Sequence, residues 1–142
     1  MHGINESLEF VPVRIAVLIV SDTRTAETDT SGTLLANRIR SAGHEVADHR
    51  IVADDVTAIR NAVSAWIADP DIDVVISSGG TGLTGRDVTP EAITPLFEKT
   101  IDGFSVIFHQ VSFQSVGLST LQSRAVAGLA GGTFIFCLPG SN

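Results

Sequence analysis

The amino-acid sequence predicts an α/β protein with a mostly parallel β-sheet that is covered by helices on both faces. Strand-like apolar segments alternate with helix-like segments along the 142 residues, which is the order that builds such a sheet. Residues 14–21 (RIAVLIVS) are almost continuously apolar and β-branched, as is typical of a central strand buried on both sides. A glycine-rich turn between the apolar residues 74–77 and a helix start is a third indication of this class.

The segment up to residue 70 predicts two helices and a second strand. A helix over LLANRIRSA can be capped by Thr30 or Ser31, and Gly43 stands where a C-terminal glycine should. Residues 45–52 are of mixed polarity, which predicts a strand nearer the edge of the sheet. A second helix ends before Pro70, and its apolar positions form one buried stripe: Val56, Ile59, Val63, Trp66 and Ile67.

The remaining segment predicts further helices and a final strand. Pro95 is expected to kink or shorten the helix that follows the glycine turn. Residues 103–116 predict an amphipathic helix. Residues 119–122 (STLQ) match a capping box that would open an alanine-rich helix reaching Gly128. Residues 133–138 predict the last buried strand.

Composition indicates one domain over residues 14–142, preceded by an N-terminal arm over residues 1–13. The net charge of −7, with no basic patch, argues against a nucleic-acid or anionic-membrane binder. No apolar run approaches the roughly 18 residues of a membrane helix, and the N-terminal residues lack the pattern of a signal peptide. The single cysteine, Cys137, excludes an internal disulfide, so a cytoplasmic, reducing setting is expected.

Four polar loops are predicted to meet at one edge of the sheet. Residues 21–24, 54–55, 78–87 and 139–142 each follow a predicted strand. In open α/β sheets, ligands bind beyond the carboxyl ends of the strands, so we expect a single ligand site at this edge. The residues expected there from the first and last of these loops are Ser21, Asp22, Pro139, Gly140 and Ser141.

The loop after the third strand has the features of an anion site. Glycines let backbone N–H groups approach a phosphate closely, and the N-terminus of the following helix favours negative charge. We expect Thr89 to cap that helix, Pro90 to take its first position and Glu91 to lie in its first turn. The residues expected to bind phosphate are Gly79, Gly80, Thr81, Gly82, Arg86 and Thr89.

Two other phosphate-binding motifs fit this loop less well. Gly80, Gly82 and Gly85 spell the dinucleotide fingerprint, but they follow the third strand and no helix begins at the last glycine. The Gly-Lys-Ser/Thr of a P-loop does not occur in the sequence. A plain turn is a further alternative, although it leaves four glycines within seven residues unexplained.

Two acidic residues are candidates for holding a metal ion. Asp87 is a solvated acid, a partner of Arg86 or a metal ligand; its place between the glycines and the helix start favours the last. Asp54 is either the cap of the second helix or a site residue, since its loop lies at the same edge. No Ser–His–Asp arrangement is indicated, and Cys137 is interpreted as an inert, buried thiol. His44, His49 and His109 show no metal-ligand spacing.

Four segments carry a resemblance to a known family: VSDTR with DTSG, SSGGTGLTGRDVTPEA, STLQSRAVAG and LPGS. Together they resemble the molybdenum cofactor biosynthesis proteins of MoaB and MogA type. The resemblance extends from about residue 14 to the last residue, and it is closer to the MoaB branch. The resemblance implies a three-layer α/β/α fold of the MogA-like, molybdopterin-binding type. It also implies homo-oligomers: trimers, or hexamers in the MoaB branch.

The resemblance further implies an activity, the Mg²⁺-dependent transfer of AMP from ATP to the terminal phosphate of molybdopterin, with release of pyrophosphate. The two functional acids of the family fall on Asp54 and Asp87, which would hold magnesium. The binding loops fall on residues 21–22, 79–82 and 139–141. A molybdate-inserting enzyme is a further expected partner.

Retention of the Arg86-Asp87 pair favours an active adenylyltransferase, because in the family this pair accompanies activity. The alternative is a non-catalytic molybdopterin carrier or assembly scaffold of the same pathway. Relatives continue into a helix directly after the PGS motif, so the domain is expected to lack its C-terminal helix.

Overall fold

The structure is a computed structural model that describes residues 7–140. They form a six-stranded sheet in the order β2-β1-β3-β6-β5-β4, together with helices. The strands are β1 (Arg14–Val20), β2 (Glu45–Val52), β3 (Val74–Ser78), β4 (Lys99–Thr100), β5 (Val126–Ala130) and β6 (Thr133–Leu138). The α-helices are α1 (Thr30–Ser41), α2 (Val56–Ile67), α3 (Thr89–Ile93) and α4 (Asp102–Val116).

Four of the six strands run parallel. β1 pairs with β2 and β3, and β3 pairs with β6, all in parallel, whereas β5 and β4 continue the sheet in antiparallel pairs. This arrangement confirms the predicted mostly parallel sheet, with β1 inside it and β2 at one edge.

Helices cover the sheet on both faces, because β1 is apolar on both. Ala16, Leu18 and Val20 join a core shared with α2 and α3, and this core includes the fully buried Ile59 and Ile93. The alternate β1 residues point to the other face, where Ile39 of α1 packs against them. The three-layer α/β/α architecture therefore follows from one strand that has no polar side.

The helix predicted over residues 119–128 is wrong. Gly117–Gln122 is a 3₁₀ helix, and Val126–Ala130 is strand β5, which forms a hairpin with β6. The turn between them is Gly131-Gly132, with φ of +57° and +84°. Two-residue hairpin turns of this kind require positive φ at both central residues, which glycine adopts without strain. Gly128 also packs under the Phe97 ring, where an added Cβ would lie 2.3 Å from the ring.

Two predicted helix caps also differ from the structure. Asp29, and neither Thr30 nor Ser31, caps α1: its Oδ1 accepts the Gly32 N–H at 2.8 Å. Thr89 is the first residue of α3, after Val88 at the capping position, so Pro90 is the second. The predicted break at Pro95 is confirmed, since α3 ends at Ile93 and Thr94–Leu96 forms a 3₁₀ turn.

Asp29→Ala is expected to lower the free energy of unfolding by about 1–2 kcal/mol, as loss of a helix cap does. The Asp29 side chain is almost fully buried, and its second oxygen lies 3.1 Å from Nε2 of His49 on β2. Urea unfolding measures the change. Thr30→Ala is the control, since its hydroxyl accepts one exposed bond from Arg24 and should cost less. Equal losses from the two substitutions would contradict the assignment of the cap.

Helix α4 leaves an apolar surface exposed. Phe104 and Phe108 are half-buried and stack against one another, while the other apolar residues of the helix face outward. The exposed large apolar residues of α4 and the following 3₁₀ helix are Val106, Ile107, Val111, Phe113, Val116, Leu118 and Leu121. The predicted amphipathic helix is therefore present over residues 102–116, but much of its apolar side is not covered by this chain.

Candidate functional site

The parallel strands bring the four predicted loops together at one edge of the sheet. Val20 is in register with Val52, and Ile19 and Leu138 are both in register with Ser78, so the strands end side by side. The loops then contact each other directly: the Ser21 N–H donates to the Val52 carbonyl and the Gly79 N–H to the Leu138 carbonyl. The Pro139 carbonyl accepts the Ser78 hydroxyl and Gly140 packs against Gly79, whereas Ser141 falls outside the described residues.

The glycine loop has a shape that only glycine supports at its start. Gly79 and Gly80 have φ of +102° and +71°. An added Cβ would lie 2.5 Å from the Val20 carbonyl oxygen at Gly79 and 2.2 Å from the Thr89 hydroxyl at Gly80. Thr89 fixes the other side, because its hydroxyl donates to the Gly79 carbonyl and its N–H to the Gly80 carbonyl. Thr89 thus shapes the loop from within, where it is fully buried.

Ser21 and Asp22 are engaged within the protein. The Ser21 hydroxyl oxygen accepts the N–H groups of Thr23 and Arg24, which folds the loop back on itself. Asp22 accepts the Asp54 N–H at 2.9 Å on one oxygen, and its other oxygen contacts the guanidinium of Arg86. Asp22 therefore links the loops that follow β1, β2 and β3. The partner of Arg86 is thus Asp22, and not the adjacent Asp87.

The structure separates the roles of the two neighbouring acids after β2. Asp55 caps α2, with its carboxylate accepting the Ala58 N–H at 2.8 Å. The alternative in which Asp54 is the cap is therefore excluded. Burial raises the pKa of Asp54, and the negative charge of Asp87 raises it further. The loops that carry Asp54 and Asp87 are joined through Asp22, which accepts the Asp54 N–H and contacts Arg86.

Asp87 is held as a carboxylate by hydrogen bonds from its own loop. The Thr84 hydroxyl and N–H donate to Oδ2 at 2.7 and 3.1 Å. The Thr84 hydroxyl is the main cause of a lowered pKa for Asp87, helped by the N–H groups of Thr84 and Gly82 and by the charge of Arg124. The two acids are thus shifted in opposite directions, which is common in functional sites.

Asp87→Asn is expected to lower the pKa of Asp54 part of the way toward its ordinary value. Removing the neighbouring negative charge makes ionisation of Asp54 easier, while the contribution of burial remains. A carboxyl-detected NMR titration measures this pKa in both proteins. An unchanged pKa would show that the two carboxylates do not interact.

Sequence reasoning missed Arg124 as a site residue. It lies just before β5, and its side chain contacts the carbonyls of Thr81, Gly82 and Asp87 together with the carboxylate of Glu91. These partners are 33 to 43 residues away along the chain. The available signal was an arginine near the end of STLQSRAVAG, with a glutamate in the first turn of the helix that follows the glycines.

Two clefts open beside the glycine loop. One, of about 170 Å³, is lined by residues that include Ser21, Arg24, Ser78, Gly79 and Gly140. The other, of about 320 Å³, is lined by Leu83, Thr84, Gly85, Asp87, Val88, Glu91 and Arg124. The predicted loops thus border small clefts on two sides.

The remaining candidates have structural partners. Cys137 is buried as predicted, and burial raises the pKa of its thiol to about 11, as expected of an unreactive cysteine. The His44 ring accepts the Val13 N–H, and the His109 ring contacts the Thr120 hydroxyl. Within residues 7–140 there is no group of three or more His, Cys, Asp or Glu side chains suited to a metal ion. In the same range, no helix is long and apolar enough to cross a membrane.

Comparison with known proteins gives one consistent result. Residues 16–142 match the family described as "Probable molybdopterin binding domain". The molybdenum cofactor biosynthesis protein B of Escherichia coli K12 is 53% identical over 135 residues, covering 95% of this chain and 79% of that protein. A crystal structure of a molybdenum cofactor biosynthesis protein B is 45% identical, with a TM-score of 0.89, over 92% of this chain and 82% of the other.

The Mog protein of Mycobacterium ulcerans is a more distant relative, 30% identical with a TM-score of 0.80, over 91% of this chain and 84% of that one. These values confirm the predicted fold and the greater similarity to MoaB than to Mog. The match over residues 16–142 and the identities of the relatives agree with the architecture and the loop edge described above. The chain belongs to the molybdopterin-binding domain family of the MoaB and MogA proteins.

Proposed function

We propose that the protein acts in molybdenum cofactor biosynthesis as an Mg²⁺-dependent adenylyltransferase that transfers AMP from ATP to molybdopterin. The names of its relatives supply the pathway. The observation that carries the chemistry is the pair Asp54 and Asp87, which lie on loops joined through Asp22 and Arg86, with the Asp87 carboxylate held by Thr84. A protein that only binds a phosphate has no need of two negative charges at that place.

The proposed reaction joins two anions. An oxygen of the terminal phosphate of molybdopterin attacks the α-phosphorus of ATP, a new P–O bond forms, and the bond to the β-phosphate oxygen breaks. The products are adenylyl-molybdopterin and pyrophosphate. The attacking oxygen is already negative, so the reaction needs positioning and charge neutralisation rather than a protein nucleophile. The buried, protonated Cys137 is consistent with that requirement.

The residues of the site fit a magnesium ion. Mg²⁺ in phosphate-transfer sites is commonly held by one or two carboxylates together with oxygens of the substrate. Asp54 and Asp87 would supply the carboxylates, and the bound ion would neutralise charge on the phosphates. The N–H groups of the glycine loop and the guanidinium of Arg86, which contacts Asp22, would orient the substrate phosphates.

Pyrophosphate release is the experiment that tests this proposal. We expect the protein to release pyrophosphate from ATP when molybdopterin and magnesium are both present, and to stop when either is omitted. Mixtures that lack one component are the controls for contaminating ATPases. Tight molybdopterin binding without any release would favour the alternative, a non-catalytic carrier or scaffold.

We also propose that the protein forms a homo-oligomer, a trimer or a hexamer. The exposed apolar surface of α4 and the 3₁₀ helix after it supports this, since monomeric proteins rarely leave such a surface uncovered. Sedimentation velocity measures the assembly state. A monomer at micromolar concentration would contradict the proposal.

A further inference from the structure

Arg124 is placed to control the shape of the glycine loop. It lies between the 3₁₀ helix Gly117–Gln122 and β5, and its side chain is about one-third exposed (32%). Its backbone N–H donates to the Thr81 carbonyl at 2.9 Å, so the main chain is anchored to the loop before the side chain begins. Arg124 lines the cleft that also contains Asp87.

The guanidinium group has an acceptor at each of its three nitrogens. Nε donates to the carbonyls of Thr81 and Gly82, both at 3.2 Å, and Nη2 donates to the carbonyl of Asp87 at 3.0 Å. Nη1 and Nη2 contact the two carboxylate oxygens of Glu91 at 2.5 and 3.1 Å. Glu91 thus fixes the plane of the guanidinium in a two-pronged ion pair, which an ammonium group cannot reproduce.

These contacts decide which way the peptide groups of the loop point. The described residues have no cis peptide bond, and in a trans peptide the N–H points opposite to the carbonyl of the preceding residue. Carbonyls of Thr81, Gly82 and Asp87 that face Arg124 therefore turn the N–H groups of Gly82, Leu83 and Val88 away from it. The Gly82 N–H accordingly faces the Asp87 carboxylate, which packs directly against Gly82.

We propose that Arg124 is a positioning residue for the phosphate-binding loop: its guanidinium, fixed by Glu91, holds loop carbonyls back so that the N–H groups of Leu83 and Val88 can face an anionic substrate. This inference rests on the proposed function for the identity of that substrate. A loop rich in glycine has many accessible backbone conformations, and carbonyl oxygens turned toward a phosphate would repel it. An external clamp that binds carbonyls selects the conformation that can accept an anion.

Arg60, on α2, supplies a matched control. Its guanidinium also binds backbone carbonyls, donating from Nε to Ala92 at 3.0 Å and from Nη2 to Glu91 at 3.3 Å. These carbonyls belong to α3 and not to the glycine loop. Arg60→Gln therefore removes a comparable set of hydrogen bonds from α3 while leaving the loop contacts of Arg124 in place.

The test compares the unmodified protein with Arg124→Lys, Arg124→Gln and Arg60→Gln. Two quantities are measured on the full chain: amide hydrogen exchange of residues 81–88, and the Kd for molybdopterin. We expect both Arg124 variants to speed exchange in this loop and to raise Kd on the order of tenfold. Lysine should restore neither quantity, because its ammonium group lacks the planar arrangement of donors that the guanidinium has. Arg60→Gln should leave both quantities within about twofold of the unmodified protein.

A further experiment, on Arg124→Ala, separates loss of the guanidinium contacts from a general loss of structure. Arg124→Ala is measured with and without free guanidinium ion at millimolar concentration, and with methylammonium as the comparison cation. Protection from exchange that is restored by guanidinium but not by methylammonium supports the clamp, meaning the contacts of the Arg124 guanidinium with the loop carbonyls. No protection from guanidinium, or equal loss in the Arg60 and Arg124 variants, would overturn it.

The outcome is distinguishable from failure of the proposed function. Hydrogen exchange is read on the protein without substrate, so a faster loop in the Arg124 variants supports the clamp even if no pyrophosphate is ever released. Unchanged exchange and unchanged Kd in both Arg124 variants would overturn the clamp even if the protein is an active adenylyltransferase.

Discussion

Asp87→Asn is expected to lower the rate of pyrophosphate release on the order of 10²- to 10³-fold, while molybdopterin binding changes little. Loss of one preorganised electrostatic contact in an active site has effects of this size. Asparagine keeps the shape of the side chain, and its oxygen can still accept the Thr84 hydroxyl and N–H. The change therefore removes a charge from the site and leaves the loop in place. Initial-rate kinetics with a parallel binding titration separates the two effects.

Asp55→Asn is the matched control for that experiment. It removes the same charge next to the site, and asparagine caps a helix as well as aspartate does. Since Asp55 caps α2 and is not placed at the proposed metal site, we expect near-normal turnover. Full activity of the Asp87 variant would contradict the adenylyltransferase proposal. Loss of activity in the Asp55 variant would show that the rate depends on the net charge near the site and not on Asp87 itself.

Gly79→Ala is expected to cost about 2–4 kcal/mol of unfolding free energy and to abolish ligand binding. The backbone at Gly79 has φ of +102°, which is strained for any other residue. The added methyl group would also lie 2.5 Å from the Val20 carbonyl, a backbone atom of the central strand that cannot move aside freely. Denaturant unfolding and a molybdopterin titration measure the two losses.

Gly85→Ala is the control within the same loop. An added Cβ at Gly85 meets nothing within 4 Å, and its φ is not in the left-handed region. We expect stability within about 0.5 kcal/mol of the unmodified protein, as for surface changes in general. A Gly79 variant as stable as the Gly85 variant would mean that the backbone at Gly79 relaxes without cost.

Local signals in the sequence predicted much of the sheet. β2 and β6 have the predicted bounds. For β6 the reason is a continuous β-branched and aromatic run between Gly132 and Pro139, which leaves few alternatives. β5 was predicted as a helix because an alanine-rich segment after a capping-box pattern has high helix propensity. The Gly131-Gly132 turn and the close packing of Gly128 on Phe97 override that propensity.

The candidate site was predicted less completely than the sheet, for a different reason. Loop positions follow from strand ends, so the sequence alone places Asp54, Asp87 and the glycines at one edge. Which carboxylate caps a helix depends on a single residue of register, and this decides between Asp54 and Asp55. The contacts of Arg124 cross more than 30 residues of chain, so no local pattern indicates them.

The two edges of the sheet have a consequence for how copies of this protein meet. Edge strands present unpaired backbone groups that can recruit another strand and lead to aggregates. β4, at one edge, is only two residues long, and β2, at the other, carries Glu45, Asp48, His49 and Arg50. Both edges are thus poor templates for strand addition. Uncontrolled polymerisation through the sheet is disfavoured, which leaves the helical surface of α4 for the association proposed above.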